Sequence, residues 1–340
     1  MDTKNPLFSF ILVVYNMQRE APRTLFTLSE TYQRLGERIS YEVLVVENGS
    51  SKPLDASLVT SFGAQFRYIY YETGSASPVD AMHEAVIQSR GKYIVMMNDA
   101  ARILSPRILE YMNRAVNAFN NPVVAVPGYH LGPATQDESM AKGYNQEVEN
   151  RLLDAVPWHQ DGYRLFDIST LAGSSAQGWF EPINESNCVA MPRSVYDSIG
   201  GICRDFQSPG GGFIALDFFK NAWEYAGSDP VMLLGEGTFH QFHGGTATNA
   251  PPEEKQQRLK AMADEYERIR GRPFEPPMRT PYYLGHLPRE SARFLEFSAL
   301  RFSSSSPSAP VPGMLMDQAP DAIPLSLFQR IRSRLSAIRP

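Results

Sequence analysis

The stretch "VMMNDAARILSP", Val95 to Pro106, places Asp99 between an apolar run and a turn, with Asn98 before it and Arg102 three residues on. A carboxylate there can hold a divalent cation, Mg2+ or Mn2+, if phosphate oxygens supply most of the other ligands. A guanidinium three residues away can neutralise a diphosphate, or it can pair with Glu110 as an ordinary surface arginine. Downstream, "GEGTFHQFHGG" offers His240 and His243 as further ligands for such a cation. Histidines at i and i+3 on a strand or loop need not share a face, so packing in the core competes as the explanation for each. The glycines flanking them predict a loop that could close over a bound ligand.

These residues must be held by the elements around them. "FSFILVVY" (Phe8 to Tyr15), "YEVLVVENGS" (Tyr41 to Ser50), "FRYIYY" (Phe66 to Tyr71), "KYIVMM" (Lys92 to Met97) and "PVVAVPG" (Pro122 to Gly128) are apolar runs suited to strands covered on both faces. Between them, apolar spacing predicts helices over residues 22–35, 77–91 and from Ser105-Pro106 onward. This alternation predicts an α/β fold with a mostly parallel central sheet flanked by helices. Ligands bind such sheets at the carboxyl ends of the strands. Tyr15, Asn16, Glu47, Asn98 and Asp99 occupy those ends and become the candidates. Glu47 either accepts an N–H from a nucleotide base or caps the turn that follows it. Asn16 is also a frequent turn residue.

Residues 128–182 are too long for a bare loop and are expected to fold over the sheet edge. Trp158 and Trp179 lie there, suited to a sugar face but more commonly to a core. Gly210, Gly211 and Gly212 either let backbone approach a sugar or make a turn. A helix is predicted from Pro252 to Gly271, with Leu259, Met262, Tyr266 and Ile269 on one face. After about residue 303 the chain turns to Ser, Pro and Ala, as a linker does. Leu325, Phe328, Ile331, Leu335 and Ile338 then recur at helical spacing among four arginines. That pattern fits reversible contact with a membrane surface or docking on a protein.

Hydrophobic content of 43% and charge of 20% in 340 residues fit a globular protein. A formal net charge of −5 argues against nucleic acid as a partner. The two cysteines, Cys188 and Cys203, have no metal-binding spacing and are expected to be reduced thiols. No apolar run reaches the ~20 residues a membrane span needs. The first apolar run lacks the pattern of a signal peptide. The expected compartment is the cytoplasm, with the tail as the route to the inner face of the membrane.

The order of motifs resembles the family 2 glycosyltransferases, which share a single-domain nucleotide-sugar-binding fold called GT-A. The resemblance covers roughly residues 7–245. It is carried by "ILVVYNMQ", "LVVENGSS", "TGSASPVDAMHEAVIQSRGKYIVMMNDAARILSP", and "ESNCVAMPRSVYDSIGGICRDF" followed by "GGGFIALD". It implies inverting transfer of a sugar from a nucleotide-diphosphate sugar to a saccharide or lipid-linked acceptor, assisted by Mg2+ or Mn2+. The setting it implies is polysaccharide or glycoconjugate assembly. Residues 1–127 would form the nucleotide-binding half and 128–250 the acceptor half, followed by a helical extension (251–302) and the linker with its tail (303–340). Tyr15, Asn16, Glu47, Asn98 and Arg102 would then contact the nucleotide. Asp99 would hold the metal, with His240 or His243 completing it.

Two departures from the family pattern matter. Asp99 has no second acid after it, since Ala100, Ala101 and Arg102 follow. The acceptor-side motif, which supplies the base, reads Phe213-Ile214-Ala215-Leu216 with only Asp217 after it. Asp217 is thus either that base or a first-turn acid favoured by the helix dipole. Glu185, in "NESN", is the other carboxylate available. The missing acids equally fit a non-catalytic protein that binds nucleotide sugar or glycan. A nucleotidyltransferase would want a glycine- and lysine-rich phosphate loop, which "YNMQREAPR" is not.

Overall fold

The computed structural model describes residues 5–243 and 252–305. Its strands are β1 (Phe8–Val14), β2 (Tyr41–Asn48), β3 (Phe66–Tyr71), β4 (Tyr93–Met97), β5 (Arg102–Leu104), β6 (Pro122–Ala125), β7 (Gly128–Leu131), β8 (Ser169–Leu171), β9 (Cys188–Pro192), β10 (Asp229–Leu234), β11 (Thr238–His240) and β12 (Tyr282–Gly285). Its helices are α1 (Ala21–Thr27), α2 (Ala56–Ser61), α3 (Val79–Gln88), α4 (Ile108–Ala118), α5 (Gln136–Met140), α6 (Gln146–Asp154), α7 (Arg193–Ser198), α8 (Ile214–Glu224), α9 (Pro252–Arg270) and α10 (Ala292–Ser305).

The main sheet has eight strands in the order β12-β10-β6-β9-β4-β1-β2-β3. All its pairings are parallel except those of β9, which runs antiparallel to both β4 and β6. Its apolar runs are buried on both faces, as the lack of alternation in β1, β2 and β4 requires. One face packs Phe10, Leu12, Val43 and Val95 against Leu25 of α1, Val59 of α2 and Met112 of α4. The other packs Ile11, Leu44 and Met96 against Met82 of α3, Tyr196 of α7, Phe218 of α8 and Tyr266 of α9. The protein is therefore a mixed α/β fold with a mostly parallel central sheet flanked by helices.

A second sheet of four strands, β5-β11-β7-β8, caps the carboxyl ends of the first. Three of its strands continue main-sheet strands after short breaks. β4 leads to β5 through Asn98–Ala101, β6 to β7 through Val126–Pro127, and β10 to β11 through Gly235–Gly237. Gly235 is required at its break. Its φ is +73°, and a Cβ there would lie 1.8 Å from the His286 carbonyl oxygen. The sheet rests on an aromatic core of Tyr129, Trp158, Phe166, Trp179, Phe239 and Phe294, so both tryptophans are core residues.

Several expectations are corrected. The helix expected over 22–35 stops at Thr27. Thr24 and Thr27 turn their hydroxyls onto β5 instead, bonding Ala100 O (2.6 Å), Arg102 N (3.1 Å) and Leu104 N (3.1 Å). Ser105 does not cap α4, because its hydroxyl donates to the buried carboxylate of Glu236. The run 122–128 is two strands, broken at Pro127. Residues 251–302 are not only helical: β12 pairs with β10, and Phe294 enters the aromatic core. On α9, Met262 and Tyr266 are buried, but Leu259 is exposed. Gly210, Gly211 and Gly212 all have positive φ and make the turn into α8. Cys188 and Cys203 are free thiols. No helix among the described residues is long and apolar enough to cross a membrane. The linker and basic tail from residue 306 onward lie outside the described residues.

Candidate functional site

The break between β4 and β5 holds the site. Asp99 lies two residues past the end of β4, near the middle of the main sheet. Its backbone is fixed because the next residue, Ala100, donates to Val13 O of β1 at 3.1 Å. Its Oδ1 accepts the Ala101 N–H at 2.8 Å, and its Oδ2 pairs with the Arg102 guanidinium at 3.0 Å. Arg102 is nearly buried, and its partner is Asp99; Glu110 is taken by Arg107 and Arg114. Burial alone would raise the Asp99 pKa, but Arg102 and His243 outweigh it and hold it below the usual carboxylate range.

β11 brings the histidines to this acid. Candidate ligand atoms of Asp99, His240 and His243 all lie within 4.8 Å of one another. His240 Nε2 and His243 Nε2 are 3.0 Å apart. Two adjacent ligands on an octahedral ion, with bonds of about 2.1 Å, stand about that far apart. His240 Nδ1 is buried with no hydrogen-bond partner among the described residues. Burial pushes both imidazoles below their ordinary pKa, and Arg102 adds to the shift in each. Neutral imidazoles are the form that binds a cation. Two nitrogens and one carboxylate thus fit a divalent transition ion.

The segment carrying these histidines is held in place. The Phe242 N–H donates to Glu149 Oε2 at 2.6 Å, and Arg19 donates to Phe242 O at 2.6 Å and to Glu149 Oε1 at 2.8 Å. Glu149 is fully buried. Gln241 donates its N–H to Ala101 O (2.9 Å) and its side-chain amide to Glu20 O (3.1 Å). Residues 240–243 are therefore held by Arg19 and Glu20 ahead of α1 and by Glu149 of α6. The glycines that follow fall outside the described residues.

Glu185 lies within electrostatic reach of Arg102 and Asp99. Burial raises its pKa; Arg102 is close enough to lower it and Asp99 close enough to raise it. Asn98 reaches the same region, donating its amide to Asn187 Oδ1 at 2.6 Å.

The other candidates sit elsewhere or are already engaged. Glu47 is completely buried, and its carboxylate takes the Ser50 hydroxyl, the Leu54 N–H (2.9 Å) and the Tyr68 hydroxyl (3.5 Å). Its carboxylate caps the turn that follows β2. Asn16 has φ +53°, and its side-chain oxygen accepts from Lys52 N at 3.0 Å, so it ties two turns together. Tyr15 is exposed beside it. Asp217 is buried and doubly bonded to Arg270, at 2.7 and 2.5 Å. It joins α8 to α9. Sequence reasoning missed Arg19, Glu149 and His130, the last in "GYHLGP". Their relation to the site depends on contacts across two sheets, which no local spacing reveals.

No family model matches this chain, and no curated protein matches it. Among solved structures, several of S. aureus TarS align with it. The crystal structure of TarS shares 12% identity at a TM-score of 0.43 and covers 76% of this chain and 39% of that one. TarS 1-349 in complex with UDP has the same identity and score and covers 76% and 65%. TarS 1-349 in complex with UDP-GlcNAc is 14% identical at a TM-score of 0.43 and covers 88% and 73%. The chain thus matches about 39% of the first of these structures.

Proposed function

We propose that this protein is an inverting glycosyltransferase that takes its sugar from a nucleotide-diphosphate donor. The reading is carried by one observation: Asp99, His240 and His243 converge to within 4.8 Å at the carboxyl end of a central strand. A cation bound there, Mn2+ in preference to Mg2+, would neutralise charge on the diphosphate. Arg102 lies beside the same position and adds positive charge to the leaving group. Glu185 is the base in this reading. The acceptor hydroxyl oxygen forms a bond to the anomeric carbon as the carbon–oxygen bond to the diphosphate breaks. The hydroxyl proton passes to the Glu185 carboxylate, and the bonding pair leaves with the diphosphate. The raised pKa of Glu185 suits a group that must accept that proton near neutral pH. Asn98 orders the floor of the site through Asn187.

A second reading, a non-catalytic binding protein, is favoured by the Asp217–Arg270 pair, which engages one of the two candidate bases. A screen of nucleotide sugars for hydrolysis and transfer separates the two. Turnover of one donor with Mn2+, stopped by EDTA and lowered about 100-fold or more by Glu185→Gln, supports the enzyme. Binding of a donor without turnover supports the second reading.

A further inference from the structure

One rung of the smaller sheet carries three polar side chains. Arg102 of β5 is paired with His240 of β11, and His240 with His130 of β7. Paired residues project from the same face of a sheet. His130 therefore stands beside His240, with ring centres 5.5 Å apart. It is not one of the three residues that converge on the cation position.

The chemistry of His130 is fixed by one hydrogen bond. Its Nδ1 accepts the backbone N–H of Gln136 at 2.8 Å. That nitrogen carries no proton, so the proton of the neutral ring is on Nε2. The Nε2–H leaves the ring on the side away from Gln136. The residue is half-buried. Ligating a cation through Nε2 would require moving its proton to Nδ1, against the Gln136 N–H.

We propose that His130 is a substrate-binding residue whose fixed Nε2–H donates to a diphosphate oxygen of the nucleotide sugar. This rests on the nucleotide-sugar reading above. Arg102 and His130 flank His240 on strands spaced about 4.8 Å apart, so they stand about 10 Å from each other across the rung. A diphosphate lying across that rung meets a guanidinium on one side and a neutral N–H on the other. The neutral donor orients an anionic oxygen without setting a second fixed positive charge against the cation position.

Two substitutions test this. His130→Asn keeps an oxygen acceptor for Gln136 but is too short to place a donor where Nε2–H was. His130→Gln restores a donor at that reach. Mn2+ affinity is read by electron paramagnetic resonance on the full chain, and UDP, GDP, CDP and dTDP binding is then measured with Mn2+ present. The expected result is binding of a nucleoside diphosphate weakened about ten-fold in His130→Asn and mostly recovered in His130→Gln. Mn2+ affinity should stay within about two-fold of wild type in both. Diphosphate binding by His130→Asn equal to wild type would overturn the proposal and leave His130 as a cap for Gln136. A ten-fold loss of Mn2+ affinity in both variants would overturn it by making His130 a ligand. If the wild type binds none of the four diphosphates, the nucleotide-sugar reading itself fails and the proposal falls with it.

Discussion

Asp99 is held by Ala101 and Arg102 in a position that leaves its carboxylate within 4.8 Å of both imidazoles. Nitrogen donors favour transition ions, whereas Mg2+ prefers oxygen and water. Mn2+ should therefore bind at least about ten-fold tighter than Mg2+, as read by Mg2+ competition in a Mn2+ titration. Asp99→Asn should weaken Mn2+ by about ten-fold or more. The amide oxygen can keep the Ala101 bond while the contact to Arg102 at the other oxygen is lost, so stability should fall by about 1–3 kcal/mol. Equal affinity for the two ions, or a variant that binds Mn2+ normally, would remove Asp99 from the site. Glu236 gives a separate test at this scale. It is fully buried, and burial raises its pKa to about 7, against the donors Ser105, Tyr163 and Arg107. A carboxyl group with a raised pKa binds its proton more tightly when folded, so stability is greatest below the unfolded pKa. It falls as pH rises from about 4.5 to 7, by roughly 3 kcal/mol at about 1.4 kcal/mol per pH unit. Denaturant titrations across that range should show the decline in wild type and a flatter profile in Glu236→Gln. Asp99 and Arg102 stood out in the sequence by type and strand-tip placement, but only one of the two histidines was expected to point in, whereas both reach Asp99. Glu47 was ambiguous there because a turn cap and a ligand contact use the same residue at the same place.

Elements decide how firmly these side chains are held. The buried Glu149 and Arg19 grip both sides of Phe242, the residue before His243. Glu149→Gln should raise hydrogen exchange at the Phe242 amide and weaken Mn2+ several-fold. Unchanged exchange would mean that α6 does not preset the segment. The tie between α8 and α9 predicts the opposite pattern. Asp217→Asn should cost about 2–3 kcal/mol of stability, as loss of a charged hydrogen-bond pair does, and leave Mn2+ and nucleotide binding intact. A stable Asp217→Asn variant that had lost turnover would restore Asp217 as the base. Strands β1 to β4 were legible because a continuous apolar run has few other uses in a soluble chain. β5 and β11 were not, since three residues carry no periodicity, and their partners come from distant segments. The same limit applied to the first helix. Thr24 and Thr27 accept the Arg102 and Leu104 N–H groups of β5, contacts that only the second sheet explains.

At the scale of the whole molecule, the site exists because three strands leave the large sheet and re-form as a smaller one over its carboxyl ends. Asp99 comes from the first break, His130 from the strand after the second, and His240 from the strand after the third. The sequence order implied an α/β fold and the sheet end that would be used. It could not show that the region after residue 128 builds the other wall of the site, because that wall is made by pairing β7 with β11 across more than a hundred residues. The central claim is that one cation sits between Asp99, His240 and His243 and faces a nucleotide diphosphate. Pulsed electron paramagnetic resonance of Mn2+ bound to the full chain, with UDP, GDP, CDP or dTDP added, tests it directly. The account predicts nitrogen couplings from two imidazoles together with phosphorus couplings from the diphosphate, both lost in Asp99→Asn. A Mn2+ signal with no nitrogen coupling, or one unchanged by that substitution, would contradict it.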